Sequence, residues 1–181
     1  AILGLLYCNK YPKKILRLIL VDVGIKGIKD SNSIYETFII LLYQWWFSIA
    51  YIISQFLGSA FGNCIFVLYM ILVTALPFLK VCPYDTFHRP ASEMNVEMCY
   101  IYYQFWKSFF QGKPIEPKMP DCPLLYFYGT KKNAMFHGQR FLDKINKDSR
   151  SRHVAYECGH YPMHAFPYEM VQQIETFLQE T

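Results

Sequence analysis

A long run without charge is the feature that most constrains this chain of 181 residues. Positions 37–79 contain no Asp, Glu, Lys or Arg, and Glu36 and Lys80 stand at the two ends of the run. A helix that crosses a membrane needs about 20 predominantly apolar residues, so the run is long enough for one or two spans. Apolar helices that cover an internal cavity have a similar composition. The run therefore predicts helices that face either lipid or an apolar chamber.

Polar and aromatic residues inside the run favour the chamber. Gln44, Ser54 and Asn63 introduce hydrogen-bonding groups at intervals along it. Trp45 and Trp46 lie in the middle of its first half, whereas membrane tryptophans concentrate at the two interfaces. We expect two buried or half-buried helices over an apolar cavity, with membrane-surface association and membrane spanning as the alternatives.

The overall composition excludes two classes of protein. The chain is 53% hydrophobic and 18% aromatic, which supplies enough core residues to rule out intrinsic disorder. The formal net charge of +4 is small and the basic residues are scattered, so we expect no nucleic-acid partner. The composition indicates a globular chain with a large apolar core.

The cysteine spacing argues against a zinc site. The six cysteines are Cys8, Cys64, Cys82, Cys99, Cys122 and Cys158. No two of them form a C-x-x-C pair, so a zinc knuckle or a thioredoxin-type motif is not indicated. We expect free, buried thiols, no metal site and no cofactor.

Outside the uncharged run, helix and strand patterns alternate along the chain. We predict strands over Ile15–Val23, Leu124–Tyr128 and His153–Glu157, the first of them buried on both faces. We predict helices over Ala1–Tyr11, Ser33–Leu79, Ser92–Gln111, Gln139–Lys147 and Tyr168–Leu178. The proline-rich segment Lys113–Pro123 is the clearest connector. This alternation predicts an α/β fold with a doubly wound sheet and a long helical insertion.

Candidate chemistry follows each predicted strand. Asp22 lies at the end of the first strand, Gly129–His137 follows the second, and His160 follows the third. Open α/β sheets bind their ligands outside the carboxyl ends of the strands. We therefore expect these residues to share one edge of the sheet, and we expect Gly159 to allow a tight turn before His160.

The order of these segments resembles the α/β-hydrolase fold. Ala1–Gly24 is similar to the helix after the nucleophile and the sixth strand, Cys122–His137 (CPLLYFYGTKKNAMFH) to the seventh strand and its loop, and Glu157–Met163 (ECGHYPM) to the Gly-His loop after the eighth. The most similar members are those related to epoxide hydrolases and haloalkane dehalogenases. The resemblance implies that residues 1–32 and 113–181 belong to the hydrolase core, with its sixth to eighth strands, and that residues 33–112 form an inserted helical lid.

The resemblance also implies a catalytic histidine. His160 corresponds to the general base, which needs an imidazole that titrates near neutrality. Many relatives place the acid that orients this histidine after the seventh strand, where this chain has Lys132, and lysine cannot accept the imidazole proton. Asp22, at the end of the sixth strand, is the alternative acid. It could equally be a structural residue that caps the predicted turn Gly24–Gly27.

A hydrolase of a small or medium apolar substrate is the function that the resemblance implies. The nucleophile, Asp for epoxide hydrolase-like or Ser for esterase-like chemistry, would precede Ala1, so we expect these 181 residues alone to be an inactive fragment. Aromatic residues of the lid would bind the substrate: Tyr43, Trp46, Tyr102 and Tyr103. The alternatives are a non-catalytic binding protein of the same fold and a membrane-associated protein anchored by residues 37–79.

Overall fold

The computed structural model describes residues 2–22, 33–82 and 95–180. They divide into two compact units, one of residues 2–22, 33, 82 and 117–180, and the other of residues 34–81 and 95–116. The sequence of the second unit thus interrupts that of the first. The predicted Gly24–Gly27 turn lies outside the described residues.

Seven α-helices and three strands make up the described chain. The helices are α1 (Ile2–Lys10), α2 (Ile34–Leu57), α3 (Ser59–Ala75), α4 (Tyr100–Phe110), α5 (Gln139–Lys147), α6 (Pro162–Ala165) and α7 (Pro167–Gln179). The strands are β1 (Leu18–Val21), β2 (Leu124–Gly129) and β3 (Arg152–Tyr156). The protein is therefore a mixed α/β chain, as its alternating pattern predicts.

The three strands form one parallel sheet in the order β1-β2-β3. All six residues of β2 are buried, because the strand has a partner on each side and packed side chains on each face. Leu20 of β1 lies opposite Tyr126 of β2, and Tyr126 lies opposite His153 of β3. An unbroken apolar strand is typical of such a position in a parallel sheet.

Each face of the sheet has its own core. On one face Leu5 of α1 and Ile145 of α5 pack with Tyr126. On the other face Phe177 of α7 packs with Phe127. Successive residues of a strand point to opposite faces, so the run LLYFY supplies both cores at once. This layered packing fixes the position of the sheet's carboxyl edge.

The first strand is shorter and more exposed than its sequence predicts. The strand begins at Leu18 rather than at Ile15, and Leu16 is 85% exposed, while Val23 lies outside the described residues. Side chains of β1 pack on both faces of the sheet, Leu18 and Leu20 on one and Ile19 and Val21 on the other, although Leu20 alone is fully buried and the other three are half-buried. The third strand is displaced by one residue from its prediction, and α5 has its predicted bounds.

The second unit begins with a helical pair. Gly58, with φ of +94°, separates α2 from α3, so the uncharged run forms two helices, as expected. A Cβ atom built on Gly62 would overlap Ser54, so the two helices approach closely at that glycine. Ala50 and Phe66 join Val96 and Cys99 in the core of this unit.

The α2 helix has the length and composition of a membrane span. Its apolar window has a mean hydropathy of 1.5, and 22% of that window is buried. Ile34 and Phe56 are more than four-fifths exposed. The helix is therefore more exposed than the helix of a closed core.

Thiol labelling tests the packing of both units. All six cysteines are free, and four of them are buried. Burial raises the pKa of Cys99 to about 12 and that of Cys122 to about 11. Because thiolates are the reactive form, we expect an aromatic disulfide reagent at pH 8 to modify the exposed Cys64 first. Peptide mass spectrometry should find Cys99 and Cys122 modified only after denaturation. Rapid labelling of either in the native protein would contradict this packing.

Candidate active site

Three charged or titratable side chains meet at the carboxyl edge of the sheet. Asp22 follows β1, Lys132 follows β2 and His160 follows β3. His160 Nδ1 lies 2.8 Å from Asp22 Oδ2, and Lys132 Nζ donates to Asp22 Oδ1. The structure thus brings together the two residues predicted to be catalytic and adds a lysine to them.

Asp22 terminates its strand in an unusual backbone conformation. Its N–H donates to the carbonyl oxygen of Phe127 at 2.8 Å and so extends the β1–β2 ladder by one bond. Its φ is +47°, in the left-handed region, which Asp tolerates better than most residues. Its side chain is fully buried. The strand therefore ends at the residue that carries the carboxylate.

Backbone contacts between two loops hold His160 in place. Thr130 N–H donates to Tyr156 O, and Lys131 N–H donates to Cys158 O, both at 2.9 Å. A Cβ atom on Gly129 would overlap the carbonyl oxygens of Cys158 and Gly159. The chain bends through residues 157–160, as the sequence predicts, and Gly159 takes part in this bend without a positive φ. The glycine that the site requires is Gly129.

Aromatic rings border the imidazole. The ring centroids of Phe136 and Tyr161 lie 4.9 and 4.8 Å from that of His160. Lys132 Nζ lies 5.1 Å from the centroid of the Phe136 ring. The His160 side chain is 31% exposed, so one part of the imidazole reaches the surface while Asp22 is screened from water.

Sequence reasoning missed the role of Lys132. It identified the lysine only as a residue that replaces an acid, whereas its side chain is fully buried and paired with Asp22. The available signal was positional: opposite charges at the carboxyl ends of adjacent parallel strands come within reach of each other. A buried charge without a partner would be costly, which favours this pairing.

This arrangement has the chemistry of a general base. A carboxylate that accepts from an ammonium on one oxygen is ionised, so its other oxygen accepts the Nδ1 proton of His160. That tautomer carries its lone pair on Nε2, where it can accept a proton. The Asp22 carboxylate also stabilises the imidazolium that results. The pair is therefore able to take up and return a proton.

The other histidines have different surroundings. Tyr126 Oη and the buried His137 Nδ1 share a hydrogen bond of 2.7 Å. Burial lowers the pKa of His153. His164 is exposed, and His88 lies outside the described residues. His160 Nδ1, in contrast to these surroundings, lies beside the carboxylate of Asp22.

The four predicted substrate-binding residues all lie in the second unit. Tyr43 and Tyr102 pack edge to face, with ring centroids 5.6 Å apart. Trp46 Nε1 donates to the carbonyl oxygen of Ile65 at 2.8 Å and so ties α2 to α3. Tyr103 packs against Tyr51.

A surface groove of about 360 Å³ lies between α2 and α4. Its walls are mainly apolar and include Trp45, Ile49, Ile52, Tyr103, Trp106 and Phe110. Tyr103 is thus the one predicted substrate-binding residue that lines this groove. The indole N–H of Trp46 is instead occupied by its hydrogen bond to the backbone of α3.

No cluster of three or more His, Cys, Asp or Glu side chains in the described residues could hold a metal ion. The fold and the site together define a mixed α/β protein with a buried lysine–aspartate pair in contact with a histidine. Comparisons with protein-family models, curated proteins and solved structures returned no match. The function is therefore argued from the geometry and from the sequence motifs.

A methyl group at Gly129 tests whether the loop contact positions His160. We expect Gly129→Ala to lower the free energy of unfolding by about 1–3 kcal/mol, because the Cβ atom collides with the backbone of the His160 loop. The matched control is Gly4→Ala in α1, where the new Cβ would make ordinary contacts with Leu18 and Leu20. Urea unfolding of both variants measures the difference. Equal stabilities for the two variants would contradict the close approach.

Proposed function

We propose that this chain carries the histidine–carboxylate machinery of a hydrolase with the α/β-hydrolase fold, which acts on a small or medium apolar substrate through a covalent intermediate. The observation that carries the proposal is the contact between His160 Nδ1 and Asp22 Oδ2 at the ends of two strands of one parallel sheet. General bases in hydrolases need this orientation of the imidazole.

The topology is compatible with the proposed family. Three parallel strands in sequential order have helices on both faces, and this proposal takes them as the sixth, seventh and eighth strands of the family's sheet. The second unit interrupts the chain between β1 and β2, where the family's lid would be inserted. Lys132 departs from the usual family pattern, and Asp22 supplies the carboxylate in its place.

In the proposed reaction, a nucleophile first forms an ester with the substrate. An Asp carboxylate either opens the ring C–O bond of an epoxide, whose oxygen is then protonated, or displaces a halide ion. A Ser hydroxyl gives its proton to His160 and displaces the alcohol of an ester substrate. His160 then accepts a proton from water through Nε2 while the water oxygen attacks the ester carbonyl. The ester C–O bond breaks, and the imidazolium returns the proton to the departing alkoxide, which leaves as an alcohol. Asp22 stabilises the imidazolium throughout this step.

On this proposal the nucleophile is an Asp or a Ser. An Asp would form an alkyl ester from an epoxide or a halide, and a Ser would form an acyl ester. The aromatic residues Tyr43, Trp46, Tyr102 and Tyr103 are the proposed substrate contacts. Of these, Tyr103 has the best support because it lines an apolar groove.

Replacement of the pair in the full-length protein tests the proposal. We expect His160→Gln and Asp22→Asn each to lower kcat for an epoxide or an aryl ester by on the order of 10²–10⁴-fold, because the general base is lost or takes the wrong tautomer. Steady-state assays with a small panel of epoxides, haloalkanes and aryl esters measure this loss of kcat.

His164→Gln is the matched control, because His164 is exposed and lies four residues further along the chain. Its rate should equal that of the unsubstituted protein. If His160→Gln and the unsubstituted protein hydrolyse the panel equally, including the case in which neither hydrolyses it, the enzyme proposal fails. Ligand binding without turnover would then favour the non-catalytic alternative.

Membrane association is a second candidate, which the exposed apolar surface of α2 favours. Ile34 is 91% exposed and Phe56 is 83% exposed, and the run that contains Phe56 has no charge. An apolar helical surface of this kind can enter the boundary between headgroups and acyl chains.

Sedimentation with phosphatidylcholine vesicles tests this second candidate. On this hypothesis the protein sediments with the vesicles, and the double variant Ile34→Lys, Phe56→Lys binds at least about tenfold less, because charges oppose insertion. The control is Tyr168→Lys in α7, which replaces an equally exposed aromatic residue in the first unit. Extraction by sodium carbonate would exclude spanning, and absence of binding to vesicles would exclude the membrane function.

A further inference from the structure

The carboxylate of Asp22 has a separate partner for each of its oxygens. Oδ2 contacts the imidazole of His160, and Oδ1 contacts the ammonium of Lys132. The side chains of Asp22 and Lys132 are both fully buried, whereas that of His160 is 31% exposed. The lysine therefore lies on the protein side of the carboxylate, away from the exposed part of the imidazole.

We propose that Lys132 is a positioning residue of this site: its ammonium holds Asp22 ionised and in the rotamer that meets His160. This inference rests on the proposed function and adds a residue that the sequence motifs do not assign to it. A carboxylate with one oxygen held by a charged donor can rotate only by breaking that contact. The second oxygen is thereby kept in place for Nδ1.

The backbone that positions Lys132 also positions the histidine. Lys132 N–H donates to Thr130 O, and the Thr130 and Lys131 N–H groups donate to residues just before His160. The Phe136 ring lies against both the ammonium and the imidazole. The lysine, the aspartate and the histidine are therefore connected through one set of loops.

The positive charge of Lys132 affects how kcat/KM depends on pH. The aspartate and histidine together carry a charge of −1 when His160 is neutral, and a nearby positive charge favours that state over the protonated pair. Without the ammonium the pair retains its proton to higher pH. Other titratable groups near the pair include Tyr161, His164, Cys158 and the exposed ion pair of Lys131 with Glu157.

Neutralisation of Lys132 in the full-length protein is the test. We expect Lys132→Met to move the acidic limb of the kcat/KM profile upward by about one pH unit or more, with KM nearly unchanged. At a pH on that limb, this shift is about a tenfold loss of kcat/KM. Lys132→Arg keeps the charge, so the limb should stay within a few tenths of its original position.

The neighbouring lysine provides the matched control. Lys131 differs in exposure, since its side chain is 52% exposed and its ion pair with Glu157 is open to water. Lys131→Met should leave the acidic limb in place, because water screens that charge. An unchanged limb in Lys132→Met, or an equal movement in Lys131→Met, would overturn the inference.

These outcomes are distinct from failure of the function itself. If His160→Gln retains full activity, the proposed function fails and Lys132 has no pair to position. If His160→Gln is inactive but Lys132→Met has an unchanged profile, the function stands and only the role of Lys132 is wrong. Should Lys132→Met fail to fold, Lys132→Arg decides: an unmoved limb supports the inference, and a limb moved upward refutes it.

Discussion

Parallel pairing of β2 with β1 and β3 is the constraint on which the rest of the structure depends. Because the three strands run in one direction, the segments that follow them emerge at the same edge. Asp22, Lys132 and His160 come from distant parts of the sequence and are brought together there. The burial of both faces of β2 secures this edge, since displacement of the strand from the sheet would expose its apolar residues to water.

Burial makes the charges at this edge interdependent. An isolated carboxylate or ammonium in a protein interior is strongly destabilised, whereas the pair of Asp22 and Lys132 is locally neutral. His160 then adds an imidazole in contact with the same carboxylate. The site thus combines a buried ion pair with a partly exposed imidazole, an arrangement suited to proton transfer.

Most elements of the fold were predictable, and the errors have physical causes. The amphipathic period of Gln139–Lys147 and the unbroken apolar run of β2 predict those elements closely. The β1 segment is equally apolar, yet it begins where β2 begins to pair with it. A sequence pattern does not say which strands will pair, so it could not predict that position. The role of Gly129 was missed for the same reason, because it arises from the approach of another loop.

The sequence by itself determined the α/β class, the helical insertion and the residue types available for chemistry, because hydrophobic periodicity and turn residues act locally. It also singled out His160 and Asp22. Only the tertiary structure decided that Asp22 meets His160 and that Lys132, in the place of an expected acid, pairs with the same carboxylate. The reason is that these contacts join residues separated by more than 100 positions, whose distance depends on strand order and register.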